Sequence, residues 1–232
     1  MKQPVILCIE SSTNICSVAL FKGNRCINTK LSTDEKSHAT LLTVFIEEIL
    51  NESNTDPNEI DAVAVSMGPG SYTGLRIGVS AAKGICYGAS AKLIAVNTLE
   101  LMAQTIMESV EDKSNAIFAP MIDARRMEIY SSFFDKDRKV LKDISADIID
   151  ENSYSEFYQD NKLYIGGNGA AKCKEVITSE NVILVDNIYP SADKMGTLAL
   201  EKYNNNIFED VAYFEPFYLK DFVVTKSKKK LF

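Results

Sequence analysis

The sequence predicts an α/β protein assembled from a duplicated unit, and three observations carry that prediction. Short β-branched runs alternate with amphipathic stretches along the chain, the pattern of sheets covered by helices. An order of three strands, helix, strand, helix, strand, helix at the front recurs loosely behind it. Each half opens on closely spaced strands joined by polar turns, which places an antiparallel hairpin at one edge of each sheet.

The elements follow in order. Strands are expected at residues 5–9, 15–21 and 26–31, with Glu10-Ser-Ser-Thr13 as the first turn and Lys22-Gly23-Asn24 as a tight hairpin connection. A helix is expected over 37–51. Its apolar residues Leu41, Leu42, Val44, Phe45, Ile46, Ile49 and Leu50 cover about two thirds of the circumference at 3.6 residues per turn. That arc is wider than one core-facing stripe needs. Either the helix is deeply buried, or one flank meets the core and the other meets a second protein.

A strand over 61–66 feeds Met67-Gly-Pro-Gly-Ser-Tyr-Thr-Gly-Leu-Arg-Ile-Gly78, a tight turn opening a helix over 72–88. Ser71 is its expected N-cap. A helix start of this kind suits an anion or close packing against another backbone. The loop has neither a Lys-Ser/Thr ending nor a Gly-x-Gly-x-x-Gly run, so no established phosphate motif matches. The helix carries Gly74, Gly78, Ser80, Ala81, Ala82, Gly84 and Gly88. Glycine inside a helix costs about 1 kcal/mol relative to alanine, and close approach of another backbone along that face would compensate.

A strand over 93–96 comes next, then a helix over 99–110 capped by Asn97-Thr98. The second half reads as strands at 116–122, 127–134 and 140–149, with Asp135-Lys-Asp-Arg138 as a polar turn. A helix over 151–159 and a strand over 163–165 follow, and Gly166-Gly-Asn-Gly169 leads into a helix over 170–178. A strand over 182–185 closes this half, Ser191 caps a helix to 203, and a mixed segment ends in a lysine-rich tail.

Composition sets outer limits. The 232 residues suffice for one large domain or two small ones, enough for a proper core. A formal net charge of -7 argues against a general nucleic-acid binder, since the average surface repels a phosphate backbone; it leaves room for a local basic patch. No apolar run approaches the ~20 residues of a membrane span. Met1-Lys2-Gln3-Pro4 moves straight into a strand, without a signal-peptide pattern. The cysteines Cys8, Cys16, Cys26, Cys86 and Cys173 form no CxxC pair and mostly sit in apolar runs, which fits a reduced cytoplasm.

Four segments together carry a resemblance: Ile6-Leu-Cys-Ile-Glu-Ser-Ser-Thr13, the 67–78 loop, Asp123-Ala-Arg-Arg126 and Glu215-Pro-Phe-Tyr-Leu-Lys220. In this order, over nearly the whole chain, they resemble the TsaB (YeaZ) family of the actin-like ATPase superfamily. The resemblance implies a two-lobed α/β actin-like (ASKHA) fold, each lobe a mixed sheet with flanking helices. The first lobe would comprise 1–99 plus 191–215 and carry the partner-binding helices; 100–190 would form the second lobe and 216–232 a C-terminal tail.

The implied role lies in threonylcarbamoyladenosine biosynthesis. One enzyme makes threonylcarbamoyl-adenylate from threonine, bicarbonate and ATP. A complex of TsaD, TsaB and the ATPase TsaE then carries the group to adenosine next to the tRNA anticodon. The resemblance makes this chain a non-catalytic partner that binds and stabilises TsaD, forms homodimers through the same surface, and meets tRNA indirectly or through the complex. It implies no cofactor, no membrane contact and a cytoplasmic location.

The residues can be weighed against that division of labour. TsaD-like relatives carry Asn-His-Leu-Glu-x-His where this chain has Asn97-Thr-Leu-Glu-Leu-Met102. Two histidines one helical turn apart grip a metal from one face. Thr98 and Met102 do not, and His38 is the only histidine, so residue count excludes a histidine-based metal site. The expected partner interface comprises Leu41, Phe45, Tyr72, Leu75, Arg76, Val79 and Lys83, packed as a four-helix bundle with the partner.

Ser11, Ser12 and Thr13 occupy the place of the superfamily's first phosphate loop but without its glycine; they form a structural hairpin or a vestigial nucleotide contact. His38 is a general base or an exposed or interfacial histidine. Asp123 with Arg125 and Arg126 is a phosphate or tRNA contact, or a salt-bridged turn. Lys226-Ser-Lys-Lys-Lys230 touches an RNA backbone by charge, or is a solvated end. The competing reading is a stand-alone ATPase or metallopeptidase-like enzyme, supported by fold analogy alone.

Overall fold

The computed structural model describes residues 3–34 and 38–220. The expected start of the first helix at Ser37 and the run Lys226–Lys230 lie outside the described residues. The strands are β1 (Val5–Glu10), β2 (Cys16–Lys22), β3 (Arg25–Ser32), β4 (Ala62–Gly68), β5 (Lys92–Asn97), β6 (Ala116–Asp123), β7 (Glu128–Phe134), β8 (Val140–Ile148), β9 (Lys162–Gly166) and β10 (Val182–Val185). The α-helices are α1 (His38–Glu52), α2 (Tyr72–Ala89), α3 (Thr98–Ser109), α4 (Ser155–Tyr158), α5 (Ala170–Val176) and α6 (Ala192–Asn204).

These form two five-stranded sheets, ordered β3-β2-β1-β4-β5 and β10-β9-β6-β7-β8. Read from the other end, the second order is that of the first, shifted by five strands. In each sheet the first three strands pair antiparallel and the rest add in parallel. The duplicated α/β unit is therefore present, as two mixed five-stranded sheets with flanking helices.

The periodicity of β1 shows how the layers form. Val5, Leu7 and Ile9 point to the core under α1 and α2, whereas Ile6 and Cys8 point to the core under α6. Helix α3 supplies Leu99, Met102, Ala103 and Ile106 to a cluster with Phe118 and Ile122 of the second sheet. Its own Leu101 joins the first sheet's core beside Ile94 and Val96, so this helix bridges the two.

Caps fall where the side chains predict. Ser71 Oγ accepts the Gly74 N–H at 3.3 Å, and Asn97 Oδ1 accepts the Leu99 and Glu100 N–H groups at 2.8 and 3.2 Å. Ser191 holds the N-cap position of α6 without a side-chain bond. The Ala192 N–H instead donates to Ser17 Oγ of β2 at 2.9 Å, so a strand side chain caps the helix. The expected helix over 151–159 shrinks to α4. Asp150 Oδ1 draws the Asn152 N–H and the Ser153 hydroxyl into a turn, and Tyr154 adopts left-handed φ 68°, which a helix cannot carry through.

Candidate functional site

The 67–78 loop and the Glu10–Thr13 turn are built against each other. The Ser71 N–H donates to the Ser12 carbonyl at 2.6 Å, and Ser11 Oγ donates to the Gly74 carbonyl at 2.8 Å. A β-carbon on Gly70 or Gly74 would overlap the carbonyl oxygens of Ser12 and Ser11, well under 3.0 Å. The close backbone approach expected for the small-residue helix is thus found inside the chain. Only its inner glycines serve it: among the described residues, a β-carbon on Gly84 or Gly88 would meet nothing within 4 Å.

Glu10 anchors the turn from beneath. Its fully buried carboxylate accepts the Ser12 N–H at 2.6 Å, the Ser12 hydroxyl at 2.5 Å, and the Ser66 hydroxyl. Burial pushes its pKa above the usual carboxylate range, against the lowering effect of these donors. The Ser11 and Ser12 hydroxyls are both spent on protein groups, and Thr13 is the member of the trio that stays partly exposed. His38 is buried, with Nε2 2.9 Å from the Thr13 carbonyl; that contact ties the start of α1 to the same turn.

Across this turn lies a cleft of about 540 Å³ between the two sheets. One wall is Ser12 to Asn14 with Pro69 to Thr73; the other is Ile122 to Arg125 with Tyr130 and Asn168. Asp123 accepts Lys172 Nζ at 2.5 Å and the Arg125 N–H at 2.6 Å, and its own N–H donates to Asn168 Oδ1 at 2.9 Å. Burial alone would raise the Asp123 pKa, but the Lys172 ammonium and the Arg125 N–H hold it below the ordinary value. Asp123 therefore pairs with Lys172, a residue no sequence motif flagged, and not with the adjacent arginines.

The described part of the expected tail, residues 216–220, enters this cleft. The Phe217 N–H donates to the Met67 carbonyl at 2.7 Å, and Tyr218, Leu219 and Lys220 line the cavity. The Tyr218 ring lies 4.8 Å from the Tyr72 ring, and Arg76 stacks 4.2 Å above Tyr72 while donating from Nε to the Tyr218 hydroxyl at 3.2 Å. Lys220 reaches across to Glu128 on β7. Further back, Lys83 Nζ donates to the Ala212 and Phe214 carbonyls at 3.0 and 3.1 Å.

These contacts redistribute the seven expected interface residues. Leu75 is 0% and Val79 4% exposed; both belong to the core, so neither reaches the surface of the folded chain. Tyr72, Arg76 and Lys83 hold the 209–220 segment on one flank of α2. Leu41 and Phe45 remain partly exposed on α1, beside Val44, which is exposed. The hydrophobic arc had counted Leu42, Ile46, Ile49 and Leu50 with them; these are buried.

Sequence reasoning missed the outward stripe of α2: Thr73, Ile77, Ser80, Gly84 and Tyr87, recurring every three or four residues, all exposed or partly so, and none charged. Tyr87 is 86% exposed. The signal was present as the lack of charge at those positions, since Arg76 and Lys83 lie off the stripe.

At the segment where the resemblance placed metal-binding histidines, Thr98 and Met102 stand one turn apart on α3, both buried. Met102 packs against Gly167, and among the described residues the Thr98 hydroxyl has no hydrogen-bond partner. Among the described residues no group of three or more His, Cys, Asp or Glu side chains is arranged to hold a metal ion. No helix among them is long and apolar enough to cross a membrane.

Comparison with known proteins agrees with this architecture. The family model described as TsaD, tRNA N6-adenosine threonylcarbamoyltransferase, matches residues 32–227. The tRNA threonylcarbamoyladenosine biosynthesis protein TsaB of Haemophilus influenzae is 31% identical over 98% of each chain, and that of Escherichia coli 28% identical over 96% of this chain and 97% of its own. A solved Pseudomonas aeruginosa structure, described as an uncharacterized protein with similarity to peptidase YEAZ, superposes with TM-score 0.82 at 23% identity, covering 94% of this chain and 100% of its own, and shows the shared fold. By this sequence match and this architecture, the chain belongs to the TsaB (YeaZ) family of tRNA threonylcarbamoyladenosine biosynthesis proteins.

Proposed function

We propose that this chain is a non-catalytic adaptor that binds a TsaD-family subunit through the outward face of α1 and α2. It acts within the assembly, including TsaE, that transfers threonylcarbamoyl to adenosine next to the tRNA anticodon. The observation that carries this reading is the uncharged stripe Thr73, Ile77, Ser80, Gly84 and Tyr87 on α2, beside exposed Val44 on α1. Charge depletion with an exposed tyrosine is what marks the centre of a protein interface. A second copy of the chain would compete for the same face, giving a homodimer when the partner is absent. The first lobe, 1–99 plus 191–215, is the partner-binding unit in this reading.

The chemistry of the cleft supports an accessory role. Glu10, Ser11 and Ser12 spend their polar atoms on each other, on Ser66 and on α2, and Thr98 and Met102 stand where the resemblance places histidines in TsaD-like relatives. The alternative of a stand-alone ATPase or metallopeptidase has no observation in its favour.

Titration calorimetry against a TsaD-family subunit tests the proposal with Val44→Glu and Gly84→Glu. Each is expected to weaken binding at least about ten-fold, roughly 1.4 kcal/mol. The thermal midpoint of the isolated chain should be unchanged for the first and no lower for the second, since glutamate is the better helix former. If both variants bind with full affinity, the face is wrongly assigned.

A further inference from the structure

The turn after β6 presents two exposed arginines, Arg125 and Arg126. Arg125 and Arg126 both adopt left-handed backbone angles, φ 74° and 52°, where glycine is the residue that fits without cost. Both are exposed, and among the described residues neither is in a salt bridge. The turn is pinned from within instead. Asp123 accepts the Arg125 N–H, and Lys172 bonds both Asp123 and the Arg126 carbonyl, each at 2.5 Å. Strained backbone held by a built network, with two exposed arginine side chains outside its hydrogen bonds, is a device for presenting those side chains.

The local charge is opposite to that of the chain. Arg125, Arg126, Lys172 and Lys220 gather around Asp123 and Glu128, four cations to two carboxylates. Both carboxylates are ion-paired with the lysines, which leaves a local excess of positive charge at the arginines in a protein whose formal net charge is -7. Guanidinium forks match phosphate oxygens.

The geometry points to a contact with successive phosphates of an RNA backbone. Arg125 lines the cleft beside Asn168, Tyr130 and Lys220, whereas Arg126 stands outside that lining. Arg125 belongs to the cleft wall and Arg126 does not, so the pair extends beyond the cleft, a spread suited to a chain of phosphates and poorly suited to one mononucleotide held inside it. The wall opposite offers a mononucleotide little: the Ser71 N–H is bonded to Ser12 and the Gly74 N–H to Ser71. Choosing RNA as the source of phosphate rests on the proposed place of this chain in a tRNA-modifying assembly.

The test is fluorescence anisotropy of the full chain with an unmodified tRNA transcript, at low and moderate salt. R125A/R126A is expected to weaken binding about ten-fold at low salt, and to flatten the dependence of log K on log salt by about two phosphate contacts. R125G/R126G relieves the left-handed backbone and should lose binding equally, so misfolding cannot account for the result. R125K/R126K should retain most of the salt slope. Absence of transcript binding by the parent chain at low salt overturns the inference, as does a double variant within two-fold of the parent.

Titration with ADP and with the TsaD-family subunit separates the remaining readings. Loss of ADP binding with transcript binding intact assigns the arginines to a mononucleotide and overturns the RNA contact. Loss of partner affinity in R125A/R126A makes the turn a protein contact and overturns it too. Intact partner affinity with weakened transcript binding supports it. Failure of V44E and G84E to affect the partner would strike only the helical face.

Discussion

The backbone of Gly74 lies against the carbonyl of Ser11 with no room for a β-carbon between them, although the two residues are 63 positions apart in sequence. Gly84, on the same helix, faces open space. Two glycines of one helix should therefore respond to alanine with opposite signs. Gly74→Ala must push β1's turn away from α2 and is expected to cost about 2–4 kcal/mol, as overpacking of a tight site does. Gly84→Ala should stabilise by about 0.5–1 kcal/mol through helix propensity alone. Denaturant unfolding of the two variants checks both; equal effects would mean the close approach is not real.

Glu10 is the buried group on which the same turn depends, and burial raises its pKa. The sign of the linkage follows. A carboxyl with a raised folded-state pKa contributes stability below its unfolded value, about 4.3, and that contribution is lost as pH rises through the folded value. Glu10→Gln keeps the shape and removes the titration, so its stability relative to the parent should improve as pH rises. Glu10→Ala leaves the donors of Ser12 and Ser66 unsatisfied and should cost about 2–4 kcal/mol at neutral pH. Unfolding midpoints across pH decide it: a flat parent-minus-glutamine difference removes Glu10 from the pH response.

Arg76 joins Tyr72 to Tyr218 and so couples α2 to the chain's last described residues. Exposed cation–aromatic contacts contribute about 0.5–1 kcal/mol. Arg76→Ala and Tyr218→Ala should each destabilise modestly, with a coupling of about 0.5–1.5 kcal/mol in a double-mutant cycle. Proteolysis within residues 209–220 should also rise in both variants, since the segment loses its clamp. A coupling near zero would show that Arg76 and Tyr218 merely lie near each other.

Much of the fold was legible because local patterns and tertiary packing agree. The strand expected at 5–9 and the caps at Ser71 and Asn97 are features that the structure contains nearly residue for residue. The expected helix over 151–159 failed because Asp150 and Tyr154 take turn conformations whose cost is met by tertiary contacts, Tyr154 bonding Asp147 at 2.7 Å. The site was less legible. Leu75 and Val79 read as apolar helix residues, but which flank of α2 is covered depends on β4 and on segment 209–220, and sequence spacing alone does not reveal either. Asn168 and Tyr218 reach the cleft, and Lys172 reaches its Asp123, from distant elements, so no local motif could have gathered them.

The most crowded carboxylate in the second sheet is Asp147. Its Oδ2 accepts Lys142 Nζ at 2.8 Å, the Tyr154 hydroxyl at 2.7 Å, the Ser145 hydroxyl at 2.8 Å and the Ser131 hydroxyl at 3.0 Å. Burial by itself would raise its pKa, yet the donors, Lys142 foremost, hold it below the ordinary value. A depressed folded-state pKa contributes stability that is present above the unfolded value, about 3.9, and is lost as pH falls through the folded one. Asp147→Asn turns an acceptor of four donors into a neutral amide and should cost about 2 kcal/mol at neutral pH. The variant should meanwhile lose less stability than the parent between about pH 5 and pH 3, because the titrating group is gone. Chemical denaturation at a series of pH values reads both effects, and parallel acid-side curves for parent and variant would show that β8 is held to β7 by its backbone ladder alone.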